Sequence, residues 1–275
     1  MKDYTSDASW RTDRLTQWEV YTRIIENGFA LSPLFSFPWF DIEIIRLDWL
    51  HVVDQGVAAD FLGNLFYCVM QKLPGNSRKE RCQSLWELIQ VFYAKKDVQD
   101  RLQKLIPTMV RQGNKAPKLR GGAAVVRALV PFAVVLAEST LSNTDERERT
   151  MITAAKHLND CYKHLSADEF HGPGLKENAI RFAGTYIALS QTSTDQKLWR
   201  VKPKMHLFLE LCDGSVEPSK IWTYRDEDFG GGVAAMSRRR GGQWSVAAFS
   251  TGVLARFIGY QPMIRICCVV VVVIF

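Results

Sequence analysis

Several enzyme signatures are missing from this chain, and each absence closes a class of function. No GxxxxGK[ST] loop, no GxGxxG after a strand, no HExxH and no GxSxG occurs. Nucleotide hydrolysis, dehydrogenase chemistry, zincin proteolysis and esterase action are therefore without support. Cysteine is sparse: Cys68, Cys82, Cys161, Cys212, Cys267 and Cys268 are scattered without paired CxxC spacing. The opening stretch "MKDYTSDASWRTDR" has no apolar signal core. A reducing compartment, nuclear or cytoplasmic rather than secreted, is the expectation. No apolar run reaches the ~20 residues that a bilayer-spanning helix needs. The nearest, "CCVVVVVIF", is about half that length, so no membrane partner is expected. It reads as a β-prone, aggregation-prone tail and is set aside from fold reasoning. Between Val57 and Phe257 there is no convincing alternating strand, and no internal repeat appears.

What is present is a chain of 275 residues, 47% hydrophobic, long enough to bury a substantial core. The formal charge of +6 and pI near 9.0 suit a polyanionic partner. Apolar residues at helical spacing (Ala58, Phe61, Leu62, Leu65, Phe66, Val69, Met70) predict a helix from Gln55 to Pro74-Gly75. Leu85, Trp86, Ile89 and Tyr93 mark a second helix, and Val98, Leu102, Leu105, Ile106 and Met109 a third. "AAVVRALVPFAVVLAES" is apolar nearly all round and reads as a central buried helix bent at Pro131. "SNTDERERTMITAAKHLNDCYKHLS" and "GPGLKENAIRFAGTYIALSQTS" predict two more, and "VAAMSRRR" and "WSVAAFSTGVLARF" are shorter candidates. Only "FDIEIIRLDWLHVV" has strand character, from Ile42, Ile44 and Ile45. The predicted class is mostly α, a helical bundle, with a lead-in segment 1–45, a helical domain 46–257 and an apolar low-complexity tail 258–275.

Five groups of residues carry candidate chemistry. In "DWLH", Asp48 and His51 share one face if the segment is helical, so the carboxylate can orient the imidazole. The plain reading is that Asp48 is a helix N-cap. In "TYRDEDFGGG", one of Asp226, Glu227 and Asp228 can project inward as a ligand for a hard divalent cation, the alternative being a solvated acidic turn. The triple glycine there predicts an unusual turn or a close backbone approach. Arg238, Arg239 and Arg240 follow, and arginine forks match phosphate geometry. The loop "RQGNKAPKLRGG" is basic and glycine-rich, and Lys115, Lys118 and Arg120 are its candidate nucleic-acid contacts. His157, Cys161 and His164 stack on one helical face but fall short of the four ligands of a structural zinc site. His206 reads as a packing residue.

Read in order, "LDWLHVVDQGVAADFLGNLF" and then "KPKMHLFLELC" and "YRDEDFGGGVAAMSRRRGG" resemble the downstream part of the catalytic region of cut-and-paste DNA transposases, especially the CACTA-like group with its RNase H-like core. In that family a [C/D]xxH motif, here Asp48-Trp49-Leu50-His51, lies between the second catalytic aspartate and the catalytic glutamate. The resemblance implies that Glu227 is the family glutamate, with Asp226 and Asp228 as rivals, and that the helices between are the insertion interrupting the RNase H-like core. It implies DNA as partner, Mg2+ or Mn2+ as cofactor of the ancestral enzyme, and convergence of Asp48, His51 and Glu227 on one pocket.

One departure matters. The family carries two metal-binding aspartates on strands ahead of the motif, whereas fewer than fifty residues precede Asp48 here. Asp3, Asp7, Asp13 and Asp41 lie in no convincing buried strand. The expectation is a transposon-derived fragment, inactive alone and binding no metal by itself. Beside it stand a helical interaction module engaging a protein partner or a second copy, and a sequence-tolerant DNA binder acting through its basic loops.

Overall fold

A computed structural model of the chain describes residues 9, 15–166, 170–213, 217–239 and 250–255. It divides into two compact units, Met1–Trp222 and Thr223–Phe275. Among the described residues every regular element is helical and no strand occurs, which is the mostly α class that the periodicity predicts.

In the first unit, α1 (Gln17–Glu26) opens with a capping box between Thr16 and Glu19. Its Tyr21 meets Phe35 edge-on, and Phe35 meets Phe40 in the same way, a small aromatic satellite of the main core. The strand expected at "DIEII" is a short 3-10 turn, Ile42–Ile44. The Asp41 carboxylate accepts the Glu43 amide at 2.9 Å, a local bond that holds the backbone in a turn despite the β-branched side chains. Ile44 and Ile45 are exposed, with no facing strand to cover them.

The core is built around one continuous helix. Its first part, Leu50–Ala58, is π-helical, and its second is α2 (Ala59–Met70). Trp49, Val53, Ala58, Phe61, Leu62, Leu65, Phe66 and Val69 are all fully buried, so this helix is covered on nearly every side. That role was expected of "AAVVRALVPFAVVLAES", which forms α5 (Ala123–Thr140). α5 instead buries one face and exposes Pro131 and Val135. It is the one described helix long and apolar enough, by length and composition, to cross a membrane. Here it packs on the central helix and on α6 (Glu146–Ser166), with Val126, Leu129, Val130 and Ala133 in the core.

α3 (Arg78–Lys95) starts at the Ser77 cap and buries Cys82, Leu85, Ile89 and Tyr93 along one stripe. The third predicted helix is not formed over most of its length. Only α4 (Pro107–Val110) is helical. Pro107 forces Ile106 out of the helical region (φ −126°, ψ 154°), and the Leu102 amide goes to the Tyr93 hydroxyl at 3.1 Å. α6 is capped by Asp145, whose carboxylate takes the Glu148 amide at 2.8 Å. It packs along α7 (Gly172–Gln191), which is followed by α8 (Pro203–Asp213). Phe61 of α2, Phe182 of α7 and Phe208 of α8 form a chain of edge-on rings that joins these helices to the core.

In the second unit, α9 (Tyr224–Arg239) runs without interruption through Gly230–Gly232. The unusual turn expected at the triple glycine is therefore absent, and the acids occupy the helix's first turns. The Glu227 amide bonds the Thr223 carbonyl at 2.9 Å, which starts the helix ahead of the glycines. Residues 250–255 are also helical, and the tail 258–275 lies outside the described residues.

Candidate functional site

Asp48 stands immediately before the central helix. Its carbonyl accepts the Val52 amide at 3.0 Å, and its Oδ2 accepts the His51 amide at 2.9 Å. The same oxygen pairs with His51 Nδ1 at 2.5 Å. The carboxylate is largely buried and the imidazole half exposed. This is the N-cap of the plain reading, with the ring laid against it. The carboxylate on Nδ1 orients the ring, although the cap itself needs only the carboxylate.

Glu227 and Asp228 are exposed on α9 in the other unit, and the Asp226 side chain lies outside the described residues. Consecutive residues of an α-helix point about 100° apart, so three adjacent acids cannot close on one ion. Among the described residues, no three His, Cys, Asp or Glu side chains come together where they could hold a metal. The described acids of this chain do not fit a catalytic Mg2+ or Mn2+ site. Arg238 is exposed on α9, whereas the Arg239 side chain and Arg240 lie outside the described residues. On α6, His157 Nδ1 lies 3.3 Å from Asn178 Oδ1, and Cys161 is a core residue whose thiol burial pushes far up. His206 is mostly buried, as expected of a packing residue.

The most constructed surface lies where two basic segments strap across the central helix. The first is "RQGNKAPKLR", 111–120. It crosses α2 at Gly63, where a Cβ would come within 2.3 Å of the Lys118 Cα, so only glycine allows the approach. The second is "DQKLWRVKPK", 195–204. Its Trp199 is fully buried with φ 55°, and the Trp199 amide is caught by Asn64 Oδ1 at 2.8 Å. Arg111 ties the straps together: it bonds the Lys115 carbonyl at 2.9 Å, meets Asp195 at 3.2 Å and lies over the Tyr67 ring.

Both straps bind main-chain carbonyls of the central helix. His51 O accepts Lys204 Nζ at 2.5 Å, Gln55 O accepts Lys118 Nζ at 2.7 Å and Ala59 O accepts the Leu119 amide at 2.8 Å. These carbonyls are four residues apart and lie along one line of the helix. A π-helix is rare, and its turns are frequently found at functional sites. Beside this line Lys202 meets Asp60 at 2.7 Å. Val57, Asp60, Tyr186, Arg200, Lys202 and Lys204 line a shallow crevice open to solvent. The Lys204 ammonium is held below its ordinary range, first by partial burial and then by the like charge of Lys118, against an opposing pull from Asp60.

Of the basic residues singled out from sequence, Lys118 belongs to this surface. Lys115 and Arg120 are exposed on the same strap, both reaching Gln112 Oε1, at 3.5 and 2.8 Å. Arg200, Lys202, Lys204 and Asp60 were not foreseen as site residues. The alternation in "WRVKPK", with cations at 200, 202 and 204, was the available signal, since alternate residues of an extended segment project to one side. Compared with protein-family models, with curated proteins and with solved structures, the chain matches none.

Proposed function

We propose that this chain is a transposase-related helical domain that holds the phosphodiester backbone of DNA and does not cut it by itself. The observation that carries the binding is the pair of straps. Lys115, Lys118, Arg120, Lys197, Arg200, Lys202 and Lys204 lie on two segments tied across one helix, and the acids within or directly beneath them, Asp195 and Asp60, are each paired to a cation. Backbone phosphates are the polyanion for such a surface, and the contact reads no sequence. The DWLH and acidic-glycine-arginine motifs support the transposase descent. The cap geometry of Asp48 and the divergent acids of α9 support a role without cleavage.

The test is the salt dependence of duplex binding. Neutralising about four phosphates makes log affinity fall against log salt with a slope near −3.6. Lys115→Glu with Arg120→Glu, both exposed, weakens binding and flattens that slope. Absence of duplex binding at low ionic strength overturns the proposal. One observation favours a second reading, a helical interaction module. Trp18 and Phe29 in the lead-in segment are 72% and 71% exposed, and Phe37 and Trp39 of the same segment are exposed as well. Failure to bind DNA together with self-association lost in Trp18→Ala favours that module.

A further inference from the structure

We propose that the crevice beside the π-helical segment is a site for one phosphate monoester group, held by Lys118, Arg200, Lys202 and Lys204. The proposal rests on the phosphate-binding reading above and narrows it from backbone diesters to a doubly charged group.

Donor geometry is the first argument. An ammonium carries three N–H donors and no acceptor. Lys118 and Lys204 each place one donor on a carbonyl, of Gln55 and His51. A neutral carbonyl fixes the position of each ammonium without cancelling its charge, and two donors on each remain for an anion. The Lys204 stem is set by a close fit as well. A Cβ on Gly56 would come 2.6 Å from its Cδ, so the glycine makes room for the chain to lie over the helix. Pro203 occupies the first position of α8 and fixes the backbone just before Lys204.

Charge is the second argument. Arg200, Lys202 and Lys204 line the crevice together with one carboxylate, Asp60, which Lys202 already pairs, and Lys118 lies near enough to Lys204 to repel it. A monoester carries about −1.5 to −2 at neutral pH and three acceptor oxygens, against one charge on a diester, so it answers more of this excess. Crowding of Lys204 by Lys118 and Lys202 is a repulsion that a bound dianion relieves. The monoester has two possible sources, a 5′-phosphorylated DNA end or a free phosphorylated molecule, and they share this chemistry.

Two measurements on the full chain test the site. Inorganic phosphate is titrated calorimetrically into wild type, Lys204→Gln and Arg200→Gln, with folding of each verified by circular dichroism. Arg200 is exposed, which protects that variant from a folding defect. Binding that weakens about tenfold or more in each variant is expected, since each loses a charged hydrogen bond. Short duplexes with 5′-phosphate and 5′-hydroxyl ends are then compared. A preference for the phosphorylated end that Lys204→Gln abolishes assigns the site to DNA ends. Phosphate binding without that preference assigns it to a free phosphorylated molecule. No phosphate binding and equal affinity for both duplexes overturns the site while leaving backbone binding intact. Phosphate binding with no duplex binding overturns the DNA reading alone.

Discussion

Asp48 performs two tasks with one oxygen, since Oδ2 accepts both the His51 amide and the His51 ring. The two tasks separate by substitution. An N-cap needs a short side chain with an acceptor, and asparagine serves as well as aspartate, whereas alanine costs about 1 kcal/mol. Asp48→Ala is therefore expected to lower Tm by about 2–4 °C, and Asp48→Asn to leave it almost unchanged, in thermal unfolding followed by circular dichroism. Equal losses in both variants would show that the charge on the pair matters and that the cap is secondary. This residue was legible in the sequence because capping is a contact between neighbours three positions apart. Convergence with Glu227 was a different kind of expectation, linking side chains about 180 positions apart through an intervening fold that periodicity does not describe.

At the scale of the element, legibility followed the source of each helix's stability. α3, α6 and α7 carry an apolar stripe and a polar face, and the pattern announces them. The stretch 98–110 has apolar residues at the right intervals, yet Pro107 and the bond from Leu102 to Tyr93 keep most of it out of a helix. The triple glycine of α9 misled in the opposite sense, because exposed glycines weaken a helix without forbidding it. The π-helical segment left no trace in the spacing, since its carbonyls are taken by residues from two distant loops. The crossing of strap and helix at Gly63 can be tested directly. An added methyl would meet the Lys118 N, Cα and C at 2.3–2.5 Å, and backbone cannot swing aside as a side-chain tip can. Gly63→Ala is expected to destabilise the protein by about 1–3 kcal/mol in urea unfolding and to loosen Lys118 from Gln55. Gly184→Ala, mid-helix on α7 with nothing within 4 Å of its Cβ, is expected to stabilise by roughly 0.5–1 kcal/mol. A neutral Gly63→Ala would mean that the strap does not lie against the helix.

For the molecule as a whole, the question is whether its acids can support phosphoryl transfer. That chemistry needs carboxylates grouped around divalent cations that clamp the attacking and leaving oxygens. The three acids at the start of the central helix are committed elsewhere: Asp48 to its cap and His51, Asp54 to the Tyr162 hydroxyl, and Asp60 to Lys202. Glu227 and Asp228 lie side by side in sequence on one helix of the second unit, where they diverge. The arginines and lysines, by contrast, need no such grouping to hold a phosphate backbone, so binding and cleavage come apart. Supercoiled plasmid incubated with the purified chain and Mg2+ or Mn2+ is therefore expected to stay supercoiled on a gel, under the same low-salt conditions in which the chain retards its migration. Glu227→Gln should give the same result, because no three described acids or histidines come together there to hold a metal. Nicking by wild type that disappears in Glu227→Gln would show that the acid does assemble a metal site, and the non-cutting half of the proposed function would fall while the straps' hold on DNA remained.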